Sequence, residues 1–352
     1  MTYNWQQKDW PHFSYKIDND LQYLMLRYAW NTGFISGFLI SAPEDIKIFE
    51  EKDEYKEIAP YIQEKLKLSK EPTPPQNLRA ENILKLITEI KQSYKKPLSE
   101  RLLLDWHTQL FSGLKNQTGV GQWATKPRTV KDKNNIIHFQ APPAEQKQTL
   151  IEIERFINWF NETAPRQKKA IIFPLVRSSI AYLYFVSIHP FGGGNGRIGR
   201  AIAEKAVWQG FNCSFFPFSI SQLIEAKKND ENYCQALKKA QCSNEVSAWI
   251  KYFSNIILEA QEKIISTMKF WARAKRLVNE RQLKAISYML KEELNGLNNN
   301  MSAQKYTAIT KTSKATATRD LTDLTDKKIL QSSGSGRSTV YLLNINIPVD
   351  CL

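Results

Sequence analysis

The sequence predicts a mainly α-helical fold with one short β-hairpin and a winged helix-turn-helix at its C-terminus. Three observations predict it. Apolar residues recur at helical spacing through most of the chain. One stretch, GVGQWATKPRTVKDKNNIIHFQAPPAE (119–145), breaks that texture with glycines, prolines and a polar turn. The end of the chain holds three short helical segments followed by LQSSGSGRSTVYLL, a strand, a Gly/Ser turn and a second strand. The proline-bearing SKEPTPPQ (69–76) reads as a linker. The expected domains are an N-terminal helical domain over 1–75, a helical core over 76–270 and the winged helix over 271–352.

Each element has its own local reason. Residues 18–68 read as helical, with charged stretches such as FEEKDEYKE. In QNLRAENILKLITEIKQSY, Ile83, Ile87 and Ile90 share a helix face. LSERLLLDWHTQLF is a second helix with Ser99 as its N-cap. The hairpin has DKNN at its tip and IIHFQ as its return strand. Helices resume at EQKQTLIEIERFINWFNE. In FPLVRSSIAYLYFVSIHPF, Val176, Ile180, Leu183, Tyr184 and Ser187 mark a buried helix. Ile198, Ala201, Ile202 and Ala206 mark another, and residues 246–280 continue as helix. Near the N-terminus, Trp5, Trp10, Phe13 and Tyr15 read as core or dimer-interface anchors.

Composition narrows the function. The chain has 352 residues, 42% hydrophobic and 24% charged, the balance of an ordinary globular protein. MTYNWQQKDWPHF lacks the apolar centre of a signal peptide, and IAYLYFVSI (180–188) is too short to span a bilayer. Cys213, Cys234, Cys242 and Cys351 show no CxxC spacing, and the four histidines form no HExxH. These features point to a cytoplasmic protein with reduced thiols and no membrane partner. The formal charge of +14 favours acidic partners, though lysine-rich stretches such as EKLKLSK also read as plain solvated faces.

The segment HPFGGGNGRIGR (189–200) joins the two buried helices and holds five of the fourteen glycines. A glycine loop feeding a helix start is an anion site, because backbone N–H groups approach closely and the helix adds unpaired donors. Arg197 and Arg200 lie three apart in the first turn and reach one polyphosphate together. His189 precedes the loop, and a neutral imidazole there is a good general base. GNGRIG fits the dinucleotide-binding pattern, but a helix precedes it rather than a strand. A Walker A reading fails for want of a lysine after the glycines.

HPFGGGNGRIGR resembles the signature of Fic/Doc (Fido) proteins: HPF, two variable positions, GNGR, two more positions, then Arg. Every fixed position is matched. The helix FPLVRSSIAYLYFVSIHPF resembles the one before that signature, and IIHFQAPPAE resembles the target-docking flap of the family. WQQKDWPHFSY resembles the N-terminal domain often fused to bacterial Fic domains, and the C-terminal winged helix resembles one found in such proteins. The resemblance implies a Fic helical core with a β-hairpin flap, and adenylylation: transfer of AMP from ATP to a Ser, Thr or Tyr hydroxyl of a target protein. It implies His189 as the base, and Phe191 packed inward to fix the loop. The α-phosphate falls to Asn195 and the Gly194–Gly196 backbone, with Gly192 and Gly193 also among the nucleotide- and phosphate-binding residues. Arg197 and Arg200 hold the outer phosphates, Tyr233 lines the adenine pocket, and Ile137, His138 and Phe139 dock the target.

Two departures stand out. Family members usually carry Asp or Glu before GNGR to hold Mg²⁺; this chain has Gly193. The change removes repulsion toward a polyphosphate but also the metal's carboxylate, so Mg²⁺ is expected to be weakly held and transfer slow. The inhibitory pattern [S/T]xxxE[G/N] is also missing: SAPEDI (41–46) and NLRAEN (77–82) each lack part of it. In the winged helix, Ser313 starts SKATATRDLTDL. Lys314, Thr316 and Arg319 face outward, Leu321 and Leu324 inward, and Arg337 sits on the wing, a set suited to DNA or a protein partner. Asp320, Asp323 and Asp326 oppose DNA there. The expected partners are ATP, a target protein, DNA through the winged helix, and a second copy of the chain.

Overall fold

The computed structural model describes residues 2–45, 76–115, 117–126, 128–131, 137–142, 146–211, 220–227, 230–294, 300–334 and 338–345. Two compact units divide the chain: Met1–Gly33 with Glu81–Gln261, and Phe34–Ala80 with Glu262–Leu352. Among the described residues no helix is long and apolar enough to cross a membrane. Cys234 is exposed and Cys242 half-buried; Cys213 and Cys351 lie outside the described residues.

The helices are α1 (Asn19–Ser41), α2 (Gln76–Ser93), α3 (Glu100–Phe111), α4 (Gln146–Glu162), α5 (Pro174–Ile188), α6 (Asn195–Gly210), α7 (Ile220–Lys227), α8 (Glu231–Ala240) and α9 (Ser247–Leu277). The last three are α10 (Glu280–Leu294), α11 (Ala303–Thr310) and α12 (Lys314–Asp326). Of the helix predicted over 18–68, the described part is α1 and a 3-10 turn at Pro43–Asp45; the rest lies outside the described residues.

The core of the first unit is the pair α5 and α6. Every residue of α5 from Leu175 to Ile188 is buried, and Pro174 starts it where a missing N–H costs nothing. Gly199 lets α6 approach: a Cβ there would lie 3.0 Å from Val186 Cγ1 and 3.4 Å from the Tyr182 ring. Ser178 Oγ seals the contact by donating to the Ala203 carbonyl at 3.0 Å. Ile198, Ala201, Ile202 and Ala206 are all buried, as their spacing predicts. On the other side of α5, Arg177 lies 4.2 Å over the Phe160 ring of α4 and donates to the Phe160 carbonyl at 2.7 Å. The indole of Trp249 in α9 donates to the Ser179 carbonyl at 2.8 Å. Lys205 of α6 ends α2 by donating to the carbonyls of Ser93 and Tyr94.

The N-terminal segment is laced onto this core. Asn4 donates to Ser187 Oγ of α5 at 3.0 Å, and Trp10 meets Tyr184 edge-on at 5.2 Å. Trp10 and Phe13, read as core or interface anchors, thus pack within the unit. The predicted hairpin forms from β1 (Thr129–Lys131) and β2 (Ile137–Gln140), antiparallel with Val130 opposite Phe139. Its DKNN tip lies outside the described residues.

In the second unit, α10, α11 and α12 precede a ribbon of β3 (Leu330–Ser333) and β4 (Val340–Leu343), in the order the sequence predicts. Ser302 and Ser313 cap α11 and α12, each accepting a backbone N–H three residues on. Leu321 and Leu324 face the interior. Asp320 does as well. It takes two hydrogen bonds from Arg281, at 2.7 and 3.0 Å, and one from Tyr306 at 2.8 Å. Asp323 binds Gln282 and Lys327. Two of the three carboxylates expected to repel DNA are therefore engaged by cations or amides; Asp326 is exposed. In SAPEDI, Glu44 and Asp45 both bind Lys275.

Candidate active site

His189 ends α5 in the left-handed conformation (φ 51°, ψ 55°), with its N–H bonded to the Phe185 carbonyl at 3.0 Å. A non-glycine residue there stores strain and turns the side chain away from the helix. Its Nδ1 lies 3.4 Å from the Val186 carbonyl, an acceptor only, so Nδ1 carries the proton and Nε2 the lone pair. Burial pushes the imidazole down to about 4; the charge of Arg128 adds to this and the Val186 bond opposes it. At neutral pH His189 is therefore an uncharged base.

The loop after it is framed by its own residues and by α3. Phe191 is fully buried, stacked on His107 at 4.0 Å with 7° between planes, and on Trp123 at 4.7 Å. Asn195 closes the turn: Oδ1 accepts the Phe191 N–H and Nδ2 donates to the Phe191 carbonyl, both at 2.9 Å. The predicted phosphate ligand thus uses its amide first to fix the loop. Gly194 is the N-cap of α6 at φ 78°, and its carbonyl accepts from the N–H groups of Arg197 and Ile198. A Cβ at Gly194 would lie 3.0 Å from the Phe111 ring. At Gly193 the nearest atom would be 4.0 Å away, and at Gly192 nothing lies within 4 Å. Gly192 and Gly193 are exposed, at the open N-terminal end of α6.

His107 pins this loop from below. The Gly121 N–H donates to its Nδ1 at 3.0 Å, which leaves the proton on Nε2, 3.1 Å from the Gly193 carbonyl. Burial lowers its pKa, against the Gly193 bond and with the charge of Arg197, so it is a neutral donor. Arg197 lies 5.2 Å over the Phe111 ring, and Arg200 is buried one turn on. Tyr233 is buried with its hydroxyl 2.5 Å from that of Tyr182, and burial raises its pKa, with the Arg200 charge opposing. It is a core residue at the Arg200 side of the site.

The hairpin forms the other wall. Phe139 is buried, its ring 6.4 Å from that of His189. Tyr3 meets Phe139 edge-on at 5.1 Å, and Trp5 Nε1 donates to the Gln140 carbonyl at 2.9 Å, so the N-terminal segment braces the flap. Ile137 and His138 lie in β2; their side chains are outside the description. Arg128, just before β1, is buried and donates through Nη2 to the Ile188 carbonyl at 3.3 Å. The four residues Lys314, Thr316, Arg319 and Arg337 belong to the second unit. Lys314 and Arg319 are exposed, Thr316 is half-buried with its hydroxyl against the Ser313 cap, and Arg337 lies outside the described residues.

The donor set does not suit Mg²⁺. Gly193 has no side chain, and its carbonyl faces the His107 N–H. Among the described residues no three His, Cys, Asp or Glu side chains group as metal ligands.

Sequence reasoning did not single out His107, Trp123, Phe111 or Arg128. His107 carried a signal: it shares the apolar face of α3 with Leu103, Trp106 and Leu110, and a polar residue there needs a partner.

Fold and site together define a helical domain built around a histidine and an exposed glycine loop at a helix N-terminus. Residues 97–206 match the sequence model of the Fic/DOC family, and the chain carries a Fic/DOC-family domain. It is 30% identical over 130 residues to the protein adenylyltransferase and cysteine protease IbpA of Histophilus somni (strain 2336). That match covers 37% of this chain and 3% of that much longer protein. A Fic family protein from Desulfovibrio desulfuricans G20, known from its crystal structure, shares the fold with a TM-score of 0.53 at 16% identity, covering 94% of this chain and 97% of that one.

Proposed function

We propose that the domain is a slow protein adenylyltransferase. The observation that carries this reading is the neutral His189 beside an exposed glycine loop at a helix N-terminus. In the proposed reaction ATP lies with its phosphates on the loop backbone, Arg197 and Arg200. His189 Nε2 takes the proton of a Ser, Thr or Tyr hydroxyl held by the flap. The oxygen attacks the α-phosphorus, the bond from that phosphorus to the bridging oxygen breaks, and pyrophosphate leaves while AMP stays on the target. Gly193 provides no carboxylate for a metal at the leaving group, which makes the step slow. IbpA, by its name an adenylyltransferase, supports the same chemistry.

Intact mass after incubation with ATP and Mg²⁺ tests the reading: added AMP is expected on the chain itself or on a target. His189→Ala abolishes it. Gly193→Asp, for which the loop has room, raises it. Labelling that survives His189→Ala overturns the role of the base.

A second reading, a weakly catalytic nucleotide-binding regulator acting through the C-terminal helices on DNA or a protein partner, draws on one observation. Asp320 and Asp323 are engaged by Arg281, Gln282 and Lys327, while Lys314 and Arg319 are exposed on α12. DNA retardation at several salt concentrations decides it: salt-sensitive, sequence-dependent binding supports it, and none below micromolar protein refutes it.

A further inference from the structure

Arg128 has a hydrogen-bonding deficit that the reaction as described leaves unexplained. Its side chain is 9% exposed. Of its three guanidinium nitrogens, only Nη2 has a partner, the Ile188 carbonyl; Nε and Nη1 are buried without one among the described residues. Among the same residues it forms no ion pair. A buried guanidinium with unmet donors and no counter-charge destabilises a fold, and a persistent one calls for a partner that arrives from outside. Its position says which side that partner comes from. Nη2 is fixed to the residue preceding His189, and the Arg128 carbonyl accepts from Ala141 at 3.0 Å, tying the base of the hairpin together. The guanidinium is close enough for its charge to act on the imidazole.

Building on the nucleotide reading above, we propose that Arg128 is an anion-binding residue of this site, its Nε–H and Nη1–H groups taking a phosphate oxygen of the nucleotide beside His189. Arginine suits the task, since its planar fork offers two donors to one oxyanion and stays charged. The proposal also accounts for a site with no acid in the loop. A fixed cation from the hairpin offsets phosphate charge where no metal-binding carboxylate stands, so the nucleotide binds without a divalent ion.

The test is calorimetric titration of the full chain with ATP in EDTA, for the wild type, Arg128→Met and Arg128→Lys, with a melting curve for each. The wild type is expected to bind. Arg128→Met is expected to weaken binding about tenfold or more, the loss of a charge-assisted pair, while the melting point of the empty protein falls by no more than the few degrees that loss of the Ile188 bond accounts for. Arg128→Lys retains part of the affinity. If Arg128→Met binds ATP as tightly as the wild type, the proposal is overturned and the nucleotide reading stands. A fall in the melting point of Arg128→Met beyond the few degrees that loss of the Ile188 bond accounts for also overturns it, because it shows a further structural partner for the guanidinium. If the wild type itself fails to bind ATP, both readings fall together.

Discussion

Gly193 and Gly194 are neighbours in sequence, yet a methyl group added at each meets opposite surroundings. At Gly194 the backbone is left-handed, and a Cβ would sit 3.0 and 3.2 Å from two atoms of the Phe111 ring and 3.7 Å from His107. The conformation costs an L-residue about 1–2 kcal/mol. Displacing a ring held against His107 at 4.8 Å and under Arg197 at 5.2 Å adds roughly 1–3 kcal/mol. Gly194→Ala is therefore expected to lose about 3 kcal/mol, a fall in Tm of roughly 6–12 °C for a unit of this size. Gly193→Ala meets its first neighbour at 4.0 Å and is expected to stay within about 0.5 kcal/mol of the wild type. Scanning calorimetry of both variants reads the difference directly. Equal melting points for the two, or a Gly194→Ala protein as stable as the wild type, would refute the account of how the loop is framed.

His107→Phe keeps the stack on Phe191 but leaves the Gly121 N–H and the Gly193 carbonyl without partners; it should cost about 1–3 kcal/mol in denaturant unfolding and weaken ATP binding. Tyr3→Ala removes the edge contact to Phe139, so KM for the target should rise several-fold while ATP affinity, read by calorimetry, stays put. Asp320→Ala leaves the buried Tyr306 hydroxyl without its acceptor and should destabilise the second unit by about 1–3 kcal/mol in urea titration. His189 makes the fold acid-sensitive. Its native pKa of about 4 lies below the ordinary 6.5, so its contribution is complete above pH 6.5. As the pH falls from 6.5 toward 4 the unfolded chain gains a proton that the native imidazole refuses, and up to about 3 kcal/mol is lost. An NMR titration of His189 with a midpoint above pH 6 would contradict this.

Much of this architecture was legible because it is local. Ser99 and Ser313 cap their helices through bonds to residues three positions on, and the apolar faces of α5 and α6 follow a fixed period. The inward Phe191 was legible through the family resemblance of HPFGGGNGR, whereas the left-handed N-cap at Gly194 was not foreseen, although a residue without a Cβ takes that φ freely. What sequence could not give was pairing at a distance. His107 and Gly193 are 86 positions apart, Arg128 and Ile188 60, and nothing local joins them. Asp320 shows the same limit with the opposite sign. As part of a helix it reads as a negative charge on a DNA-facing surface, but Arg281, 39 positions earlier, and Tyr306 draw it inward.

The frame of the loop and its missing acid are physically independent. Phe191, Asn195 and His107 hold the turn through a buried ring, a backbone clamp and a bond to the Gly193 carbonyl. None of these uses a side chain at position 193, and the space beyond its Cα admits one. On the adenylyltransferase reading, a loop without a carboxylate therefore keeps the proposed anion cradle and lacks only what a carboxylate would do for the reaction. Binding and transfer become separable quantities. Restoring an acid at Gly193 should change the rate with divalent metal present far more than it changes ATP affinity in EDTA, where a new negative charge should weaken binding. A Gly193→Asp protein that binds ATP more tightly in EDTA would show that position 193 shapes the cradle itself, and the separation would fail.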